Sequence, residues 1–244
     1  FYMVKLKLYK YRYGSKRDLE SLINNSFYAS DPSKLNDPCE GVYIESIVRD
    51  ATLHEFFKAE ISRFYEEASR HGIYSLSQIA VDELLWAYYA NSHYGFCIEY
   101  DRDELLKVEG IKTNFIVDYR DDVPNLNFGT VFIHNSVTKL LKLILGRKSK
   151  KWLHEAEERL IVEKHGLINY SDNVVTSIYF GIRMPRKVDD LPTANDQLSD
   201  KLQQVCREQV IKSLQGRDIK YYQMVLRPNS YDLIYEEIKD PYLF

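Results

Sequence analysis

Cysteine is scarce in this sequence. Three residues, Cys39, Cys97 and Cys206, are scattered over 244 positions with no CxxC pair among them. An odd, dispersed set argues against a disulfide framework and a cysteine-based zinc site, and predicts reduced thiols in a cytosol. Long apolar runs are missing too, since none approaches the ~18 residues that a membrane-spanning helix requires. The opening residues lack the basic-then-apolar plan of a secretory signal. The expected location is therefore the cytoplasm, with no membrane partner. Charge of one sign is also lacking, because 33 Lys and Arg face 36 Asp and Glu for a net charge of -3. A near-neutral balance gives no global reason to expect nucleic acid, which usually shows as a basic excess. The signatures GxGxxG, GxxxxGK[ST], GxSxG and HExxH do not occur. Their absence removes support for a Rossmann site, a P-loop, a nucleophile elbow and a zincin helix.

What is present is material for a large core. Apolar residues make up 45% and aromatics 14% of the chain, a globular composition that one domain can hold. At the start, Val4, Leu6 and Leu8 alternate with Lys5, Lys7 and Lys10, the period-two pattern of a strand over 4–13. Ser15-Lys16-Arg17-Asp18 reads as a capping box before a short helix, and Thr52-Leu53-His54-Glu55 as a second one opening a helix over 52–71. Further helices are expected at 82–92, 131–145 and 197–214, the last from Leu198, Leu202, Val205 and Leu214 at helical spacing. Short strands are expected at 73–77, 96–100, 115–119 and 174–180. The Trp152 segment is expected to continue as a strand through Leu160 to Val162. Residues 219–226 and 231–238 read as a hairpin around Pro228-Asn229-Ser230. The reading is α+β: a single domain over 1–244 with a mixed or antiparallel sheet core flanked by helices, and 52–71 as a candidate helical insertion.

Several constellations carry potential chemistry. In Trp152-Leu153-His154-Glu155-Ala156-Glu157-Glu158-Arg159, a strand would place Glu155, Glu157 and Arg159 on one face. Two carboxylates so close repel, which favours a cationic or hydroxyl partner such as a sugar. The same ExE also suits a solvated strand edge or the acidic first turn of a helix. The basic run Arg147, Lys148, Lys150 and Lys151 lies just before it. Tyr9-Lys10-Tyr11-Arg12 ends a strand with an aromatic and a guanidinium, which can bind phosphate oxygens bidentately or simply be surface. Ser75 and Ser77 offer two small hydroxyls, and Trp86, Tyr89 and His93 follow; Trp86 and Tyr89 at i, i+3 fit a core equally well. His93 has no second histidine at metal spacing, so no metal is expected there. Asn36-Asp37-Pro38-Cys39-Glu40 reads as a turn that bonds its own backbone, with Asn36, Asp37 and Glu40 as polar candidates.

These strings in order resemble the bacterial domain-of-unknown-function 2971 family. Leu8-Tyr9-Lys10-Tyr11-Arg12 with Ser30-Asp31-Pro32 and Asn36-Asp37-Pro38-Cys39-Glu40 looks like its opening. Ser75-Leu76-Ser77 and the stretch from Leu85 to Asp101 look like its second block. Lys148 with Trp152-x-x-Glu155-x-Glu157-x-Arg159 looks like its third. Leu35 stands where the family has an aromatic, Cys39 where it has Phe and Tyr88 where it has His. The motif order is also similar to that of ADP-ribosyltransferases. That resemblance implies NAD as cofactor, with Arg12 or Tyr11 on its phosphates or ribose and Ser75 or Ser77 supporting the nicotinamide ribose. It makes Glu157 the catalytic acid on the ribose 2′-hydroxyl and Glu155 the group that orients the acceptor, with Tyr11 or Trp86 able to stack on the ring. The expected function is transfer of ADP-ribose from NAD to a macromolecular acceptor, a protein or a nucleic acid, as in a bacterial toxin or anti-phage defence effector. Two other classes compete: a nucleic-acid-binding or nucleic-acid-processing protein using the basic run, and a non-catalytic sensor of the same fold.

Overall fold

The computed structural model describes residues 6–35, 44–45, 51–126, 137–191 and 199–242. The alternating start forms β1 (Lys7–Arg12). Ser15 then caps α1 (Lys16–Ile23): its hydroxyl accepts the Asp18 N–H, and the Asp18 carboxylate accepts the Ser15 N–H. This reciprocal exchange satisfies backbone donors that a helix start leaves open. Next come β2 (Ser26–Ala29), β3 (Ile44–Glu45) and α2 (Ala51–Ala68). Thr52 lies inside α2 and is not its cap. The middle of the chain gives β4 (Gly72–Ser77), α3 (Glu83–Tyr89) capped by Asp82, β5 (Phe96–Asp101), α4 (Arg102–Leu105) and β6 (Ile111–Ile116). Then follow β7 (Asp118–Tyr119), β8 (Asn125–Leu126), α5 (Val137–Leu145), β9 (Arg147–Lys148), β10 (Glu157–Val162) and β11 (Gly166–Asn169). The chain closes with β12 (Val175–Phe180), α6 (Arg207–Ser213), β13 (Lys220–Leu226) and β14 (Leu233–Glu237). The protein is α+β, with mixed but mainly antiparallel strand pairing.

The chain divides into two compact units, one of Phe1–Phe27, Leu76–Glu109 and Asn169–Phe244, the other of Tyr28–Ser75 and Gly110–Ile168. In the first unit the strand order is β14, β13, β12, β5, β1, and then the end of β4, where Tyr9 faces Ser77. β12 and β13 run parallel, while β13–β14, β12–β5, β5–β1 and β1–β4 pair antiparallel. Period two places Tyr11, Cys97, Tyr179 and Met224 on one face, where Leu85 and Trp86 of α3 bury against them. The expected C-terminal hairpin is β13 with β14, closed by a turn in which Asn229 takes a positive φ of 59°.

The long helix expected over 197–214 is not formed. Residues 197 and 198 lie outside the described residues, Asp200–Leu202 is a 3-10 turn, and α6 begins only at Arg207. Between them the backbone pairs with the start of the chain: Lys16 N–H donates to Gln203 O, and Val205 N–H to Gly14 O. These long-range bonds outweigh a helical spacing that propensity alone supports only weakly.

In the second unit the Gly72–Ser75 part of β4 lies beside β10, and β10 beside β6. α2 and α5 cover the core, with Phe57, Ile61 and Phe64 meeting Leu140, Leu141 and Ile144 beside Phe115 and Ile161. The 131–136 part of the expected 131–145 helix lies outside the described residues.

Gly95 tests the tightness of the first unit. A Cβ there would sit 2.0 Å from the Arg12 carbonyl oxygen and 2.8 Å from the Tyr13 carbonyl carbon, both backbone. Gly95→Ala should therefore lower stability by about 1–3 kcal/mol or more in urea unfolding. A change within about 0.5 kcal/mol, ordinary for a surface site, would contradict that packing.

Candidate functional site

The Glu155–Glu157 segment is not one continuous strand. Lys150–Glu155 forms a 3-10 turn whose N-cap Ser149 accepts the Lys151 N–H, and Ala156 then takes a left-handed φ of 42°. β10 starts only at Glu157, so the alternation expected to align Glu155 with Glu157 holds for Glu157 and Arg159 alone. The bend nevertheless brings both carboxylates to one cation. The Lys148 ammonium lies 2.6 Å from Glu155 and 3.6 Å from Glu157. Parallel pairing of β9 with β7, in register Tyr119 with Lys148, delivers that lysine. The Tyr119 hydroxyl accepts the Glu157 N–H at 2.8 Å.

Arg159 completes the cluster. Its Nε and Nη2 donate to the two oxygens of Glu157 at 2.8 and 2.9 Å, and its Nη1 donates to the Leu145 carbonyl at 2.8 Å. That carbonyl closes α5, where backbone oxygens lack helical partners and favour a cation. Arg159 is 1% exposed, Glu155 5%, Glu157 6% and Lys148 7%. Two positive and two negative side chains thus sit together out of water with no formal net charge. Burial pushes the Glu157 carboxyl up, but Arg159, then Lys148 and a hydrogen bond from Ser75, outweigh it and hold the group below its usual range. The Lys148 ammonium also lies 4.9 Å from the centre of the Trp152 ring, a cation–π distance. Ser75, Lys148, Trp152, Glu155, Glu157 and Arg159 are therefore one constellation of the second unit.

The basic run is taken apart by this geometry. Lys148 turns inward, Arg147 pairs with Asp122 at 3.1 Å, and Lys150 with Asp121 at 3.4 Å. Among the described residues no group of three or more His, Cys, Asp or Glu is placed to hold a metal ion.

Tyr11, Arg12, Ser77, Trp86, Tyr89 and His93 belong to the first unit. Tyr11 and Trp86 meet edge to face with centroids 5.3 Å apart, and both are buried. Their polar atoms are used internally, Tyr11 Oη donating to Ile79 O and Trp86 Nε1 to Ala80 O. Tyr89 packs at the edge of the same cluster. The Arg12 guanidinium pairs at 2.6 Å with Asp18, the capping carboxylate of α1. The Ser77 hydroxyl accepts the Ile79 N–H. His93 follows Asn91 and Ser92 in a run of three positive φ values, 49°, 50° and 71°, and stacks on Trp86. Burial first, and then Arg183, lower its pKa. Asn36, Asp37 and Glu40 lie outside the described residues.

Two features escaped the sequence reading. Tyr119 carries no local signal, because only the pairing of β7 with β9 brings it to Glu157. Glu99 did carry one, a single carboxylate inside the apolar strand Phe96-Cys97-Ile98-Glu99-Tyr100. It is 7% exposed and accepts from Tyr179 (2.7 Å), Thr176 (2.7 Å), Ser177 (3.1 Å) and Tyr9 (3.3 Å), with Lys7 at 3.4 Å. Burial raises its pKa, but those donors prevail and keep it low.

Residues 85–160 match the family model described as protein of unknown function (DUF2971). No curated protein and no solved structure gives a significant match. The DUF2971 match covers about a third of the chain, from the middle of α3 into β10. It takes in Trp86, His93, Gly95 and Glu99 as well as Lys148, Glu155, Glu157 and Arg159. The strings at Leu8–Arg12, 36–40 and 75–77 lie outside it. Among the described residues no helix is long and apolar enough to cross a membrane.

Removing one partner of a buried ion cluster strands the other charge, at a cost of about 3–5 kcal/mol. Arg159→Met and Lys148→Met should each lose stability of that order in denaturant unfolding. Because the folded Glu157 pKa lies below its usual 4.5, its contribution is full above that value and is lost as pH falls through the depressed folded value. The wild-type stability curve should therefore drop on acidification below about 4.5, and the Glu157→Gln curve should drop less over that window. Parallel acid limbs would refute the depressed pKa.

Proposed function

We propose that Glu157 is the catalytic carboxylate of an ADP-ribosyltransferase-like enzyme that uses NAD and modifies a macromolecule. The observation that carries this reading is the placement of Ser75 against Glu157 on neighbouring strands, with the carboxylate kept ionised.

The chemistry follows from charge. Breaking the bond from nicotinamide to its ribose sends the electron pair to the ring nitrogen and leaves oxocarbenium character on the sugar, as in glycoside hydrolysis. A fixed carboxylate hydrogen-bonded to the ribose 2′-hydroxyl stabilises that cation more than the ground state. A carboxylate offers about four acceptor positions. Arg159 occupies two on Glu157 and Ser75 one, with the Lys148 ammonium 3.6 Å away, and this reading assigns a remaining position to the ribose hydroxyl. Arg159 fixes the carboxylate, and Lys148 keeps Glu155 beside it, where Glu155 orients the acceptor. Nicotinamide is already a good leaving group, so no strong acid is required. The acceptor is a protein or a nucleic acid, and the expected setting is a bacterial toxin or defence effector acting in the cytoplasm.

A second reading is architectural, with the cluster serving only as a buried lock in a non-catalytic protein. It is favoured by the bidentate closure of Glu157 and its 6% exposure. The two readings separate in one experiment. With labelled NAD and a cell lysate, the enzyme reading expects transfer or nicotinamide release that falls by about a hundredfold or more in Glu157→Gln, a loss typical of one electrostatic catalytic group. No turnover by the folded wild-type chain would remove the enzyme reading and leave the lock.

A further inference from the structure

We propose that Arg186 and Arg207 form an anion site for a compact phosphomonoester, with its phosphate on the two guanidiniums and its organic part in the adjoining hollow. The site lies wholly in the first unit and does not depend on the role given to Glu157. Arg186 stands on the loop that follows β12, and Arg207 is the first residue of α6. Two backbone bonds tie loop to helix: Arg207 N–H donates to Pro185 O at 2.8 Å, and Glu208 N–H to Arg186 O at 3.1 Å. Two like charges are thereby held close enough to repel, and burial followed by Arg186 pulls the Arg207 pKa down.

Neither guanidinium makes an ion pair among the described residues, and nearby acids are engaged elsewhere. Glu208 pairs with Lys212, and Asp190 accepts the Lys187 N–H. Arg207 Nη1 donates to Gln223 Oε1 at 3.2 Å, but its Nε is buried without a partner. A buried donor left open costs free energy, so the protein itself satisfies this guanidinium only in part. Gln223 is itself fixed, because its amide donates to the Phe180 and Gly181 carbonyls.

Arg186 and Gln223 also line a hollow of about 250 Å³ whose other walls are apolar, among them Met184, Met224 and Leu226. Guanidinium matches the oxygens of a phosphate bidentately, and two of them neutralise a dianion. The apolar walls ask for a hydrocarbon or ring beside that phosphate. The volume falls below the ~300–1,000 Å³ of ordinary small-molecule pockets, so the organic part is small.

Calorimetric or NMR titration with phenyl phosphate, inorganic phosphate and phenol tests the assignment on the full chain. Phenyl phosphate should bind most tightly, inorganic phosphate more weakly and phenol not measurably, with affinity falling as salt rises. Arg186→Gln, a change on the surface loop, should weaken phenyl phosphate at least tenfold without altering thermal unfolding. Leu226→Asn should weaken phenyl phosphate and leave inorganic phosphate unchanged. Equal affinity of wild type and a folded Arg186→Gln, or no binding by the wild type, would overturn the anion site. Inorganic phosphate binding as tightly as phenyl phosphate would overturn the ester.

Discussion

One buried guanidinium organises the second unit. Arg159 holds Glu157 with two nitrogens and the end of α5 with a third, so a strand, a helix terminus and the candidate carboxylate share one rigid reference point. Taking four charges out of water is costly unless each finds a partner. Here Lys148 balances Glu155, Arg159 balances Glu157, and Tyr119 and Ser75 satisfy remaining polar groups. The 3-10 turn and the left-handed Ala156 exist within that constraint, since a straight strand from Trp152 would not fold Glu155 back toward Lys148. Stability and any catalysis therefore draw on the same side chains, and a substitution in the cluster perturbs both.

The first unit repeats the theme with different chemistry. Glu99 is kept ionised inside a sheet face mainly by neutral hydroxyls, with the Lys7 ammonium beside it at 3.4 Å. Around it Tyr9, Tyr179, Tyr222 and Tyr235 pack ring against ring, Tyr179 stacking on Tyr222 at 4.8 Å. A carboxylate satisfied by oriented dipoles costs less desolvation of partners than one paired only with buried cations. The sheet face can thereby carry a charge without a second buried ion cluster.

The elements that rest on local chemistry were legible in the sequence. Ser15 and Asp18 signal their cap, alternation signals β1, and the aromatic run after Gly95 signals β5. The helix over 197–214 failed because Gln203 and Val205 are claimed by backbone partners near Gly14, nearly two hundred positions away. The straight strand through Glu155 failed because a left-handed residue in its middle is Ala, which gives no warning of a bend. The ion cluster was half visible: its members were singled out, but their mutual neutralisation depends on β9 pairing with β7. Arg12, proposed for phosphate on the strength of strand and charge, instead pairs with Asp18, because helix capping places a buried carboxylate beside it.

The turn from Asn91 to Gly95 has a consequence for how such chains can vary. Three successive left-handed residues and a glycine pressed on the Arg12 carbonyl fix its length as well as its path. The strand that follows alternates, with Cys97 and Glu99 on one side and Ile98 and Tyr100 on the other. Gaining or losing one residue in the turn would rotate that whole row and trade a carboxylate for an isoleucine among the tyrosines. Away from Gly95, drift by exchange of side chains is open to this segment, whereas drift by insertion or deletion is closed.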